Sequence, residues 1–283
     1  MKHFNKLFIT AALLILLIAC KNNKLDADIS NITIPPVKFE RLDKDLFSIT
    51  AENMAIKEAE LTSKYGRFYQ QFVFNIINAN RSDTNYILHF VNDKDMRGAY
   101  TEAQKNITDQ DIAQLEEELT LSEKRFRYFF PKRKLPKKHI AYFSGFNYNI
   151  VYPDTTLGIS LEMYLGKESP YYKMLQWPQY QVRSLSKEYM LPNLIRGWLI
   201  SEFDNAEPVN NLLSHMIFYG KIFYACDALL PDMHDSLKIA YTSAQMNYCS
   251  KYEKNLWGFF AQENRLYENL SLIHIYHRLL HIN

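Results

Sequence analysis

The sequence lacks the short motifs by which most enzyme classes are recognised. It contains no HExxH zinc motif, no glycine-rich phosphate loop, no Ser/His/Asp arrangement and no cysteine in the setting of a nucleophile. Only Cys226 and Cys249 follow residue 20, and two cysteines with no nearby His do not form a metal site. We therefore expect no catalytic residue, no metal and no cofactor.

Excess charge of one sign is also absent after residue 19. Lys2 and Lys6 account for the whole difference between the 33 basic and 31 acidic residues, so the remaining chain is neutral. Phosphate binding needs clustered positive charge, so we expect no nucleic-acid partner. The one basic cluster, at 132–138, is balanced by the acidic run Glu116–Glu118 and is typical of a solvated loop. A nucleic-acid site is the alternative interpretation.

Residues 1–19 are typical of a bacterial export signal. Lys2 and Lys6 precede an apolar stretch, Leu7–Ile18, that is shorter than the roughly 20 residues of a membrane span. Leu17–Cys20 (LIAC) resembles the lipobox of bacterial lipoproteins, in which the cysteine is acylated and becomes the new amino terminus. The resemblance predicts lipid attachment at Cys20 and a membrane as partner. An ordinary secretory signal with a chance cysteine is the alternative.

The residues after Cys20 predict how the protein is held at the membrane. Residues 20–36 are polar and then end in Pro35 and Pro36, which predicts a flexible tether. Residue 21 is Lys rather than Asp, which favours the outer membrane in the familiar sorting logic. No acidic run follows that would resemble a surface-export tag. We therefore expect a lipid-anchored protein at the periplasmic face of the outer membrane.

Residues 37–269 are predicted to form one globular α+β domain, predominantly helical with one small antiparallel sheet. Helix-capping sequences begin at Thr108 and Thr242, and Gly66 separates two helical pieces. Extended patterns predict the strands, at Val37–Asp43, His139–Ser144, Asn147–Tyr152 and Gly158–Leu165.

The alternation in Gly158–Leu165 predicts a strand with one polar face. That face, with cations from two helices expected nearby, forms a candidate binding cleft for an extended peptide along the strand edge. The cleft comprises Ser160, Glu162, Tyr164, Arg196 and Lys221. The alternative is that Glu162 forms a structural ion pair with a Lys or Arg.

Cys226 and Cys249 allow two interpretations. Cys226 ends one predicted helix and Cys249 lies in the next, so the two could meet, and the oxidising periplasm permits a disulfide. Equally, both could be small buried hydrophobic residues.

Five blocks, in order behind the lipobox, resemble one family. They are Val37–Phe47, Gly158–Lys167, Glu188–Trp198, Gly220–Pro231 and Lys238–Trp257. The pattern is similar to the gliding-motility lipoprotein family GldB of Bacteroidetes, over residues 1–268. The resemblance implies a cell-envelope lipoprotein connected with surface motility and the associated protein-secretion machinery, whose proteins are the expected partners. It brings no enzyme activity, so we expect a non-enzymatic binding or scaffold component.

Two other functions stay open. One is an envelope hydrolase, because the order of strand, crossing and helix looks like a zincin-type peptidase. The matching helix, Asn193–Trp198, has no His and no base, so such a scaffold would hold no metal. The other is a carrier of a small apolar ligand in an aromatic-lined pocket.

Residues 270–283 are predicted to be a non-native tail. Leu270–Ile275 (LSLIHI) is what a common sequencing adapter would encode if it were read through as protein. We therefore do not assign His274, His277 and His281 to a metal site. A genuine His-rich helix end is the alternative.

Overall fold

The computed structural model describes residues 25–80, 82–203 and 211–268. The chain forms the first strand of a sheet early and returns to that sheet only after a long series of helices. The strands are β1 (Phe39–Arg41), β2 (Lys138–Tyr142), β3 (Ile150–Val151) and β4 (Thr156–Ser160). The helices between β1 and β2 are α1 (Leu42–Phe47), α2 (Met54–Tyr65), α3 (Arg67–Gln71), α4 (Tyr86–Asn92), α5 (Lys94–Asn106) and α6 (Asp109–Phe129).

The chain after β4 is helical again. It contains α7 (Pro170–Met174), α8 (Gln179–Val182), α9 (Met190–Phe203), α10 (Leu212–Leu229), α11 (Asp235–Ile239) and α12 (Ser243–Gln262). Short 3₁₀ turns lie at Leu161–Tyr164, Lys187–Tyr189 and Arg265–Tyr267. The predominantly helical α+β class predicted from the sequence is confirmed.

The sheet is mixed, so the expected antiparallel pairing is wrong for most of it. The strand order is β1-β2-β4-β3; β1 and β4 both run parallel to β2, and only β3 and β4 pair antiparallel. Parallel neighbours need a crossover, and helices α1 to α6 supply it between β1 and β2. The β3–β4 hairpin turns at Asp154 and Thr155, whose φ angles of 49° and 68° are those of a type I′ turn.

Strand β4 ends at Ser160, earlier than the alternating pattern predicts. The next four residues form a 3₁₀ turn, and all of them, Glu162 included, are buried. The polar face predicted for Gly158–Leu165 is therefore not exposed. The reason is that β4 lies between two other strands, and α9 contacts both β3 and β4. Helix-covered sheets of this kind bury both faces of their strands.

Local sequence signals account for several helix ends. Thr108 caps α6 in a capping box with Asp111, and Thr242 caps α12 in the same way with Gln245. Helix α10 begins at Leu212, with Asn211 as its cap. The sequence patterns did not predict helix α5.

The segment before β1 lies on the domain rather than extending from it. Between residues 25 and 36 half-buried and exposed side chains alternate; the half-buried ones are Leu25, Ala27, Ile29, Ile32 and Ile34. The Val37 N–H then donates to Thr120 Oγ1 at 2.9 Å, and the Phe39 N–H donates to Glu116 Oε1 at 2.8 Å. Ile29 also lines a hollow beside α6, so part of this segment contacts the domain, and the flexible tether over residues 20–36 stays a prediction.

The basic loop between α6 and β2 is not balanced by the acidic run Glu116–Glu118. Arg133 pairs with Glu202 at 3.2 Å, and Lys138 pairs with Glu40 at 3.5 Å. Glu116 binds the opening strand instead, as described above.

The core is rich in aromatic side chains. Trp198 of α9 is fully buried, and its ring centroid lies 4.3 Å from that of Phe126 in α6. Helix α9 approaches the sheet closely at Gly197, where an added Cβ would lie 2.7 Å from Ile150 Cγ2. A glycine at this position is what allows α9 to pack directly on β3.

Candidate functional site

The carboxylate of Glu162 lies just beyond the carboxyl ends of the parallel strands β2 and β4. Its Oε1 accepts hydrogen bonds from the Ser144 N–H and Ser144 Oγ, both at 2.6 Å, and from the Phe146 N–H at 3.1 Å. Its Oε2 accepts from Ser160 Oγ at 2.6 Å. The side chain is fully buried. Four donors thus occupy the carboxylate.

The loop that follows β2 is shaped to provide these donors. Gly145 and Phe146 both have positive φ, 69° and 64°, which turns consecutive backbone N–H groups towards one point. Ser144 Oγ also accepts from the Asn147 and Tyr148 N–H groups, each at 3.1 Å. The hydrogen bonds of the Glu162 side chain therefore connect this loop to the end of β4.

Burial and hydrogen bonding act in opposite directions on the Glu162 carboxyl. Burial raises its pKa above the usual value, and the donors from Ser144, Ser160 and Phe146 oppose that rise without cancelling it. Burial, with the nearby Glu162 charge, also raises the pKa of the Tyr142 hydroxyl. The site is a dry interior in which charge is costly.

The five residues of the predicted cleft are not brought together at one open site. Ser160 and Glu162 meet, but inside the core, with Ser144 as the partner that the sequence reading missed. The Tyr164 hydroxyl donates to Asn149 Oδ1, and Lys221 is exposed on α10. The ion-pair alternative for Glu162 is also wrong, since no Lys or Arg of the described chain forms a salt bridge with it.

Arg196 connects helices instead of lining a cleft. Its guanidinium donates to the Lys238 carbonyl at 2.9 Å and to Asn193 Oδ1 at 2.7 Å. Lys238 is itself buried, and its Nζ lies 2.6 Å from Asp227 Oδ1 and 2.9 Å from Asp235 Oδ1. Burial alone would lower the Lys238 pKa, but hydrogen bonds to the two carboxylates outweigh it and raise that pKa. This junction joins α9, α10 and α11.

Cys226 and Cys249 are both free thiols in the structure, so the disulfide interpretation is not met there. Cys226 is buried, and burial raises the pKa of its thiol to about 12. Such a thiol stays protonated and unreactive at neutral pH. Cys249 is only partly buried, so the interpretation as a buried hydrophobic residue fits Cys226 alone.

An apolar groove runs along α6, and Ile29 of the amino-terminal segment forms part of its wall. Its larger part, of about 500 Å³, lies between α6 and the chain around the start of α11; a second hollow of about 390 Å³ continues it towards the amino end of α6. The two hollows share Glu118, Leu191 and Met233. We call this the α6 groove. Its apolar lining is aliphatic, unlike the aromatic pocket anticipated for a ligand carrier, and comprises Ile29, Leu115, Leu121, Met190, Leu191, Leu229, Leu230, Pro231, Met233 and Leu237.

A second apolar feature is the exposed face formed by α10 and α12. Helix α12 has no buried residue in the described chain, and the two helices line a shared hollow of about 340 Å³. Large apolar side chains are exposed on several sides of these two helices, whose exposed surface we call the α10/α12 face; they are Ile217, Tyr219, Tyr224, Tyr248, Trp257 and Phe259.

Several sites predicted from sequence lie outside the described residues. They are Cys20, the signal segment 1–19 and the suspected tail 270–283 with its three histidines. In residues 25–80, 82–203 and 211–268, no helix is both long and apolar enough to cross a membrane. Nor do His, Cys, Asp and Glu side chains of those ranges cluster in threes around a point that could hold a metal ion.

The profile of the family described as gliding motility protein GldB matches residues 22–275. No curated protein and no solved structure matches the chain, so the zincin-like scaffold stays a hypothesis. The matched range covers nearly all of the sequence and includes β1 to β4, the Glu162 site, the α6 groove and the α10/α12 face. The chain therefore belongs to the family of gliding motility protein GldB.

Proposed function

We propose that this chain is a lipoprotein of the gliding-motility and associated secretion machinery, and that it works by binding a protein partner rather than by catalysis. Membership of the GldB family supports involvement in gliding motility, and the family's lipoprotein character supports a place at the cell envelope. Acylation at Cys20 would anchor it, on the periplasmic face of the outer membrane.

The observation that carries the binding role is the α10/α12 face. Exposed apolar patches of this kind mark interaction surfaces, and aromatic side chains are enriched at protein interfaces. Trp257 is 44% exposed and Phe259 is 54% exposed, although both are large and apolar. We assign this face to a protein of the gliding or secretion apparatus.

If the protein were an envelope hydrolase with an unrecognised site, Glu162 would be its candidate carboxylate, and the surroundings of Glu162 support a role without catalysis. A general acid or base must reach a substrate proton within about 3 Å. The Glu162 carboxylate is fully buried, and its oxygens are already occupied by Ser144, Phe146 and Ser160.

The partner proposal is tested by crosslinking in gliding cells, followed by purification from solubilised membranes. We expect motility or secretion proteins to crosslink to the wild-type chain and to be lost with Phe259→Ser. Tyr180→Ser is the matched control, because Tyr180 is also an exposed aromatic residue, 66% exposed, but lies on α8. Equal capture of the same proteins by both variants would reject the α10/α12 face as the binding surface.

The location is tested separately. We expect acyl mass on the wild-type protein, none on Cys20→Ala, and co-fractionation of the wild type with outer membranes on a density gradient. Protease added to intact cells should leave the protein uncut. Digestion without lysis would place it on the cell surface, and recovery with inner membranes would reject the proposed membrane.

A further inference from the structure

The α6 groove has the shape and chemistry of a site for a fatty acyl chain. Its α6 wall runs from Asp111 to Arg125, which is about 21 Å at about 1.5 Å per helical residue. An acyl chain spans one leaflet, about half of a hydrocarbon core roughly 30 Å thick, so the groove is long enough for one chain. The 500 Å³ of its larger part lies within the size range of small-molecule sites.

Charged groups lie along the whole groove. At one end Lys187 pairs with Asp111 at 2.8 Å. Arg125, Asp232 and His234 line the larger hollow, and Glu118 is shared by both hollows. The apolar side chains of the lining include no aromatic ring, which favours an aliphatic ligand over an aromatic one.

The amino-terminal segment connects Cys20, the predicted acylation site, to the wall of this groove. Ile29 forms part of the groove wall, and the segment is fixed to α6 through Val37 and Phe39 as described above. Cys20 precedes Leu25 by five residues, which at no more than about 3.6 Å each span at most about 18 Å. Ile29 of the groove wall follows Cys20 by nine residues, which span at most about 32 Å, so an acyl chain on Cys20 is within reach of the groove.

We propose that the α6 groove receives one of the acyl chains carried by Cys20 when the protein is outside a bilayer. This rests on the proposed function, which makes Cys20 the acylated residue. Apolar burial in the groove replaces burial in the bilayer, so the chain is never wholly exposed to water. The groove thus shields the anchor of a protein that must cross an aqueous compartment to reach its membrane.

The test uses cells fed a palmitate that bears a photoreactive diazirine. The full acylated protein is purified, freed of detergent, mixed with an equal amount of its ¹⁵N-labelled form, irradiated and digested. We expect crosslinks from the Cys20 peptide to peptides of α6 or of residues 229–237, and we expect them within molecules of one isotope. Leu121→Asp places a charge at the 53% exposed lip of the groove and should lower their yield several-fold. Ile56→Asp, at a residue 66% exposed on α2, should not.

The possible results separate the inference from the proposed function. Absence of acyl mass on Cys20 overturns both. Acylated protein without groove crosslinks, or with crosslinks shared equally between isotopes, overturns the groove alone. Groove labelling that persists in Cys20→Ala would show that a membrane lipid is the occupant, which also overturns the assignment to the protein's own chain.

Discussion

Replacing Glu162 by Leu should destabilise the protein strongly, because it removes the acceptor for four buried donors. The Phe146 N–H has no second acceptor among the described residues, and an unsatisfied buried donor costs about 1–3 kcal/mol. The Ser144 N–H keeps Ser160 Oγ at 3.0 Å, and the two hydroxyls can rotate, so each lost bond there costs about 1 kcal/mol. We expect a total of about 4–6 kcal/mol, or roughly 8–24 °C in Tm for a domain of this size.

Glu162→Gln should cost less and should reveal the charge of the wild-type group. The Gln carbonyl can take the Oε1 position, and Ser160 Oγ can rotate to accept from the new amide, so we expect a loss of about 1 kcal/mol. Burial raises the Glu162 pKa, so the folded state binds more protons than the unfolded state between the unfolded and folded pKa values. The advantage of wild type over Glu162→Gln should therefore be fully present below the unfolded pKa and shrink as the pH rises through the folded pKa.

Urea unfolding of the wild type and both variants, at several pH values between 4 and 8, measures these differences. Glu168→Gln is the control, because Glu168 is exposed in the loop that follows the same 3₁₀ turn. A Glu162→Leu protein within about 0.5 kcal/mol of wild type, the range of neutral surface changes, would refute the structural role. A wild-type advantage that grows with rising pH would show that the donors outweigh burial. Loss of gliding with unchanged stability in Glu162→Gln would favour the hydrolase alternative.

Three further substitutions test the packing around this site. Gly197→Ala should cost about 1–3 kcal/mol in urea unfolding, because the new methyl meets Ile150, whereas Gly220→Ala, in an open helical position, should stabilise by about 0.5–1 kcal/mol. Thr155→Gly should stabilise by about 0.5–1 kcal/mol, since a β-branched residue there adopts φ of 68°; an unchanged or lower Tm would contradict this. Lys238→Met should lower the free energy of unfolding by about 1–2 kcal/mol, because the salt bridges to Asp227 and Asp235 are lost while both aspartates can rehydrate. The decrease should be smaller at high salt.

Features that depend on neighbouring residues could be predicted from the sequence. The capping boxes at Thr108 and Thr242 are read from four residues each, and both are confirmed. The break at Gly66 is confirmed as well, since α2 ends at Tyr65 and α3 begins at Arg67. Helix α5 also begins with a side-chain cap, because Asp93 Oδ1 accepts hydrogen bonds from the Asp95 and Met96 N–H groups. The start of this helix could therefore have been predicted from the sequence as well.

Features that depend on distant residues could not be predicted in this way. Strands β1 and β2 pair in parallel although about a hundred residues separate Phe39 from His139, and no local pattern encodes that register. The alternation in Gly158–Leu165 predicted a strand with an exposed polar face. The chain instead turns after Ser160, and all residues of Leu161–Tyr164 are buried. The partner of Glu162 is the loop after β2, where Gly145 was the only visible sign of an unusual backbone.

The separation of the predicted cleft residues bears directly on the proposed function. Ser160 and Glu162 bind each other inside the core, and Arg196 binds the Lys238 carbonyl between helices, so the five residues do not form the predicted open cleft. Of the five residues only Lys221 is exposed, and it lies between the exposed Tyr219 and Tyr224 in the sequence of α10. An exposed cation beside aromatic residues is suited to a protein interface, where arginine and aromatic side chains dominate the binding energy and a charge at the rim sets the association rate. If this face binds the partner, Lys221→Glu should slow association, most of all at low salt, and leave folding unchanged.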